Sequence, residues 1–208
     1  MKLRIAFEIS LIFLVLFFPG LGLSQREPGA FSPDLVRLGL YVFPGLALIG
    51  FFLLQAENRP FRPSLKAGPR DLLAALLCLA ALCLIALGFQ ALSRLAPELP
   101  SPPLLVKPSG AFSWFVLVLF YLASGYLEEG YFRIYLEARL GRAGCGPLAR
   151  LLLSSCLFAL CHLYQGLPGF CNAFVSGIFL LFFYRKTRLP HGLALGHGLY
   201  NILAYVLS

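Results

Sequence analysis

The sequence predicts an all-α fold: a polytopic transmembrane helix bundle of about seven spans. Three observations carry this. Of the 208 residues, 59% are hydrophobic and only 12% charged, whereas a soluble domain has about 25% charged residues. Mean hydropathy is +0.82. The apolar residues gather into seven segments with short polar connections, and basic residues recur in every second connection.

The segments follow in order. Ile5–Leu23, Leu35–Gln55, Leu72–Leu92 and Ala111–Leu127 approach the length of a span, which needs about 20 apolar residues. The fourth continues helically through Glu128 and Glu129. Leu151–Leu163, Phe170–Tyr184 and His191–Leu207 are shorter. Pro19-Gly20 and Pro44-Gly45 are expected to end or kink their helices, because proline lacks the N–H that a helix interior uses. Arg59-Pro60-Phe61-Arg62-Pro63 reads as one loop and Pro97 to Pro108 as a proline-rich loop on the opposite side. Glu8, Arg37 and Gln55 fall near span ends, where long side chains can snorkel.

Charge sets the orientation. Lys2, Arg4, Arg59, Arg62, Lys66, Arg70, Arg139, Arg142, Arg150, Arg185, Lys186 and Arg188 fall on one side of the predicted bundle. Arg26, Arg94 and Lys107 fall on the other. The positive-inside rule then puts the N-terminus in the cytoplasm and the C-terminus outside. The expected location is the cytoplasmic membrane of a bacterium or archaeon. Lys2 and Arg4 before an apolar run resemble a signal peptide. The length of the run, the interruption at Glu8 and the poor cleavage site at Leu21-Gly22-Leu23-Ser24 favour an uncleaved first helix.

The net charge of +8 does not indicate nucleic-acid binding, because the basic residues are scattered over loops and form no stripe. Six cysteines, Cys78, Cys83, Cys145, Cys156, Cys161 and Cys171, form no CxxC pair and lie mostly within apolar runs. They read as small hydrophobes, with no disulfide framework.

Chemistry enters at Ala111. Residues 1–110 comprise three helices and loops with few polar intruders. Residues 111–208 hold all three histidines and the Glu128–Glu129 pair. A charge at the bilayer centre costs about 2.5–3.5 kcal/mol on insertion scales, so such residues face a protein interior and have partners. In Glu128-Glu129-Gly130-Tyr131-Phe132-Arg133, Arg133 is four residues after Glu129, the spacing of a same-face ion pair. Glu128 points about 100° away and is free for another task. A salt-bridged helix end would account for Glu129 and Arg133 but poorly for Glu128.

Phe158-Ala159-Leu160-Cys161-His162 ends a short apolar helix. A lone histidine there fits a packed or headgroup-level residue as well as a catalyst, with Gln165 and Asn172 hinting at a polar pocket. In His197-Gly198-Leu199-Tyr200-Asn201 the four-residue spacing puts His197 and Asn201 on one face. A structural hydrogen bond between helices is one reading, and a shared target is the other. His191 lies off that face and is expected to cap the helix start or meet the interface. A carboxylate, two histidines and an amide, spread over three C-terminal helices, match a water-activating hydrolytic site.

The three patterns, in this order, resemble the CPBP family of intramembrane proteases, which takes in CAAX-type prenyl-protein endopeptidases and many bacterial relatives. The family reads E-E-x-x-x-R, F-x-x-x-H and H-x-x-x-N or D, and the resemblance spans roughly Ala111–Leu207. It implies that Glu128 and His162 activate the water, that His197 and Asn201 stabilise the oxyanion, and that Glu129 and Arg133 hold the helix end. Residues 111–208 would then be the catalytic core. The expected function is an intramembrane endopeptidase acting on a membrane-associated protein or peptide, with the lipid bilayer as its medium and no nucleic-acid partner.

Other protease classes fail on residues. The nearest approach to a Gly-x-Ser-Gly nucleophile is Leu122-Ala123-Ser124-Gly125. The aspartates, Asp34 and Asp71, sit at span ends, and His-Glu-x-x-His is absent. Zinc on Glu128, His162 and His197 is chemically reasonable. Asn201 is an unusual zinc ligand and suits an oxyanion donor, so no metal and no cofactor is expected. Two alternatives remain: a proton- or ion-relay transporter, which would string polar residues across the bilayer, and a catalytically inactive, immunity-type membrane protein.

Overall fold

All seven apolar segments close into helices, as a membrane requires of a chain whose backbone must satisfy its own hydrogen bonds. The computed structural model describes residues 2–22, 33–55, 58, 63–64, 66–94 and 107–207. Helix α1 spans Lys2–Gly22. Helices α2 (Pro33–Arg37) and α3 (Phe43–Leu54) are joined without a break by a π-helical turn, Leu38–Val42. Helix α4 spans Pro69–Ser93. Helices α5 (Ala111–Glu129) and α6 (Leu136–Arg142) are likewise fused through a π-helical stretch, Gly130–Tyr135. Helix α7 spans Pro147–Leu160, a 3₁₀ turn covers Leu163–Gln165, α8 spans Gly166–Thr187 and α9 spans Pro190–Leu207. The described residues contain no strand, so the fold is all-α as expected.

Among the described residues, four helical stretches are long and apolar enough to cross a membrane by length and composition: Asp34–Leu54, Pro69–Ser93, Ala111–Arg142 and Leu163–Thr187. Pro147–Leu160 is apolar but shorter. The outer surface agrees with a lipid surround, since Leu72, Leu73, Leu76, Leu77, Leu84 and Leu87 of α4 all face outward. Exposed apolar surface on that scale marks contact with other apolar material.

The helix ends depart from expectation in three places. Pro19-Gly20 does not end α1, which runs on to Gly22. Pro44 does not break its helix either. The π turn ends just before it, with Phe43 N–H reaching back to Leu38 O, and this wider turn takes up the proline. Glu8 does not snorkel. It is held between the Tyr135 hydroxyl at 2.7 Å and Arg139 at 2.8 and 2.7 Å, which ties α1 to the α5–α6 rod. The loops expected at Arg59–Pro63 and Pro97–Pro108, and the candidate cleavage site ending at Ser24, lie largely outside the described residues.

Helix α9 is wedged between α4 and α5, and small residues make the fit possible. A Cβ on Gly196 would come 2.6 Å from Ala75 O, and one on Gly125 would come 2.6 Å from Ala194 O. Such close backbone approach is how helices associate where lipid removes the hydrophobic drive. Asp71 anchors one end of this sandwich. Its carboxylate accepts from Gly68 N–H at 2.9 Å and from Gly192 N–H at 3.1 Å, serving the start of α4 and the first turn of α9 together. His191 meets the same loop, with Nε2 2.7 Å from Ser64 O, which agrees with its expected place at the helix start. Helices α7 and α8 pack side by side beyond this sandwich. The described cysteines are all unpaired by disulfides, as the sequence suggested.

Candidate active site

The end of α5 brings two carboxylates to the middle of this arrangement, and the close α5–α9 approach at Gly125 carries His197 to them. Glu129 is 2% exposed and Arg133 1%. Arg133 Nε lies 3.0 Å from Glu129 Oε2, the ion pair that the four-residue spacing predicts. The other oxygen, Oε1, lies 2.7 Å from His197 Nδ1. A carboxylate paired with a guanidinium only accepts, so Nδ1 of His197 carries the proton and donates it. Glu129 therefore does more than close a helix end: it fixes the orientation of an imidazole on another helix.

His197 Nε2 points the opposite way, to Glu128 Oε2 at 3.7 Å. Glu128 is not part of the Arg133 pair, and its Oε2 has no hydrogen-bond partner among the described residues. The glutamate side chains also differ in access, 20% exposed for Glu128 against 2% for Glu129. The two neighbours thus occupy different environments, one locked and one available.

His162 lies in the turn after α7. Its Nδ1 is 3.0 Å from Phe158 O, one helical turn back. A carbonyl can only accept, so Nδ1 is the protonated nitrogen and Nε2 carries the lone pair. Glu128, His197 and Arg133 are all close enough for their charges to act on His162. The Phe158 ring joins the parts. Its centroid is 4.8 Å from the His162 ring, 5.7 Å from the His197 ring and 4.6 Å from the Arg133 guanidinium carbon. The F-x-x-x-H spacing pointed to this phenylalanine but not to its task, which is to wall the site and to support Arg133 from its face.

Five of the six expected residues are thus gathered: Glu128, Glu129, Arg133, His162 and His197. Asn201 is half-buried one turn beyond His197 on α9, and no hydrogen bond joins it to another described residue. Tyr164, which sequence reasoning passed over, stacks near His162 with ring centroids 6.4 Å apart. Nothing in its spacing relative to the motifs marks it.

The π stretch explains why the site is stable in this form. A π turn frees backbone groups from the regular ladder and often sits at functional sites. Here Ser154 Oγ on α7 donates to Phe132 O at 3.0 Å, binding the irregular turn to the helix that carries His162. Among the described residues, no three His, Cys, Asp or Glu side chains are grouped so as to hold a metal ion.

Chemically the arrangement offers an available carboxylate, an imidazole lone pair on each of two histidines, and a buried cation behind them. No curated protein and no solved structure matches the chain. Residues 110–203 match the family model described as type II CAAX prenyl endopeptidase Rce1-like. The protein is therefore an integral membrane protein whose residues 110–203 match the Rce1-like type II CAAX prenyl endopeptidase model, which is consistent with a CPBP/CAAX protease family.

Proposed function

We propose that the protein is a glutamate-type intramembrane endopeptidase that hydrolyses a peptide bond in a membrane-associated protein. The observation that carries this is the split between the two glutamates: Glu129 is committed to Arg133 and His197, while Glu128 Oε2 is unbonded and 3.7 Å from His197 Nε2. In this reading a water lies between Glu128 and His162 Nε2. Glu128 takes one proton as the water oxygen bonds to the scissile carbonyl carbon. The carbonyl oxygen becomes an oxyanion, which Asn201 Nδ2 and His197 stabilise.

The tautomers refine the role of His197. With Nδ1–H given to Glu129, neutral His197 has a lone pair at Nε2 and nothing to donate. It becomes a donor only after Nε2 takes up a proton from the medium before the attack; that imidazolium, flanked by Glu129 and Glu128, contributes charge as well as a hydrogen bond and returns the proton to the medium after turnover. When the C–N bond breaks, the proton held by Glu128 passes to the leaving amine. The N-terminal helices would frame this core, and the positive-inside distribution favours a cytoplasmic N-terminus.

Glu128→Gln tests the proposal in purified protein assayed on membrane-associated peptides. Loss of cleavage with normal insertion and accumulation is the expected result. Near-normal cleavage by that variant would overturn it.

A further inference from the structure

Helices α1 and α3 and the α5–α6 rod enclose a cleft of about 320 Å³. Its mouth lies where Arg4 opens α1, Gln55 follows α3 and Arg139 nears the end of α6. The walls change character in the same sense. Along α1, Arg4, Glu8 and Ile12 follow at four-residue intervals, which places them on one face. Along α3 the order is reversed, from Leu48 through Phe51 to Gln55. The cleft is therefore polar at the end of the bundle and apolar about 12 Å further in, the rise of eight helical residues. Phe51 is 64% exposed at its edge, so the apolar part opens toward the surround.

The charges are unequal. Arg4 and Arg139 are the cations of the lining and Glu8 is its carboxylate. Glu8 is held by Arg139 at 2.8 and 2.7 Å and by the Tyr135 hydroxyl at 2.7 Å. The Phe52 ring supports Arg139 from its face, 4.7 Å from centroid to guanidinium carbon. Arg4 is exposed and leaves the mouth with one positive charge in excess. A positive mouth above an apolar channel fits an amphiphile with an anionic head.

We propose that this cleft binds an anionic phospholipid, with its phosphate at Arg4 and one acyl chain against Ile12, Leu48 and Phe51. A guanidinium meets a phosphate with paired, charge-assisted hydrogen bonds. The positive-inside rule assigns this basic-rich end to the cytoplasmic leaflet. That leaflet carries anionic lipids, and basic pockets between membrane helices on its side bind their head groups. A zwitterionic lipid would bring a second cation beside Arg4 and gain less. The cleft also backs onto the reacting centre. Tyr135 lines it, and Tyr131 donates to Ile9 O on α1 at 3.0 Å. Both tyrosines belong to the π stretch that directly follows Glu129. A lipid seated there braces that stretch against α1 and α3, whether or not the centre cuts peptides.

The test uses the purified full-length protein, with phosphatidylglycerol and phosphatidylcholine of identical acyl chains titrated in detergent. Native mass spectrometry counts the lipid retained. The wild type is expected to retain one phosphatidylglycerol in clear preference to phosphatidylcholine, and its unfolding temperature should rise with the bound lipid. Arg4→Gln should weaken phosphatidylglycerol about 10- to 100-fold, the scale of losing a hydrogen bond to a charged group. Arg4→Lys should restore part of it. Leu48→Trp fills the channel and should weaken binding from the apolar end, which keeps the site testable should Arg4→Gln accumulate poorly. Lys66→Gln removes an exposed charge outside the cleft and should change little. Equal losses in Arg4→Gln and Lys66→Gln would mean diffuse attraction to a basic face and would overturn the site. So would equal retention of the two lipids, or full binding by Leu48→Trp. Displacement by glycerol 3-phosphate at equal concentration would assign the mouth to a free phosphate and overturn the lipid.

Discussion

His197 Nδ1 and Glu129 Oε1 lie 2.7 Å apart across 68 residues of sequence, and this contact links the two halves of the site. Glu129 is simultaneously paired with Arg133. The chain Arg133–Glu129–His197 runs from a buried cation to the imidazole nitrogen that faces Glu128. Orientation of His197 is thus set two side chains away from the reacting atoms, within a shell that is almost wholly buried.

Glu129→Gln should consequently damage the fold before it damages the chemistry. The amide cannot neutralise Arg133, which would remain buried with its charge unmatched. Removing one partner of a buried ion pair costs about 3–5 kcal/mol. Thermal unfolding in detergent is expected to shift well below the wild type, with reduced folded yield. Unchanged stability in Glu129→Gln would mean that the pair is not what holds the end of α5.

Asn201→Ala should act on the transition state. The residue makes no bond that its loss would break among the described residues, so folded yield should hold. Loss of one oxyanion donor lowers kcat by roughly 10²–10³, and KM should change little. A fall confined to KM would assign Asn201 to substrate binding instead.

Much of this was legible in the sequence. Hydropathy alone marked all seven helices, and the four-residue interval between Glu129 and Arg133 foretold their ion pair. What was not legible is which helices are neighbours. Spacing assigns a residue to a face, but Glu129 meeting His197, or Glu8 meeting Arg139 and Tyr135, depends on the packing of distant helices. The π turns were hidden for a related reason: one extra residue per turn leaves hydropathy unchanged. Proline at position 44 signalled a disturbance, and the wider turn took it up.

Gly125→Ala tests whether helix spacing assembles the site. The added methyl would stand 2.6 Å from Ala194 O, a backbone atom that cannot turn aside. Overpacking of this kind costs about 1–3 kcal/mol. Separation of α5 from α9 should also weaken the His197 contacts, so cleavage should fall more steeply than stability. Activity and unfolding temperature measured on the same preparation decide it. A variant with normal activity would show that the two helices can move apart without disturbing the site.

Metal dependence is the last choice the site poses. Zinc would need three protein donors at about 2.0–2.2 Å and an open fourth position. Glu128, His162 and His197 are the chemically suitable set. His197 Nε2 and Glu128 Oε2 face one another at 3.7 Å, which is near the separation of two donors on one ion. The third donor decides the matter: Glu129, the other carboxylate at His197, is committed to Arg133, and among the described residues no three His, Cys, Asp or Glu side chains are arranged so as to hold a metal ion. Asn201, on the face of His197, suits a carbonyl oxygen better than a metal. The expected outcome is full activity of the purified protein after exhaustive chelation, with no stoichiometric zinc by elemental analysis. Activity lost on chelation and restored by zinc would replace the glutamate-activated water with a metal-bound one and recast His162 and His197 as ligands.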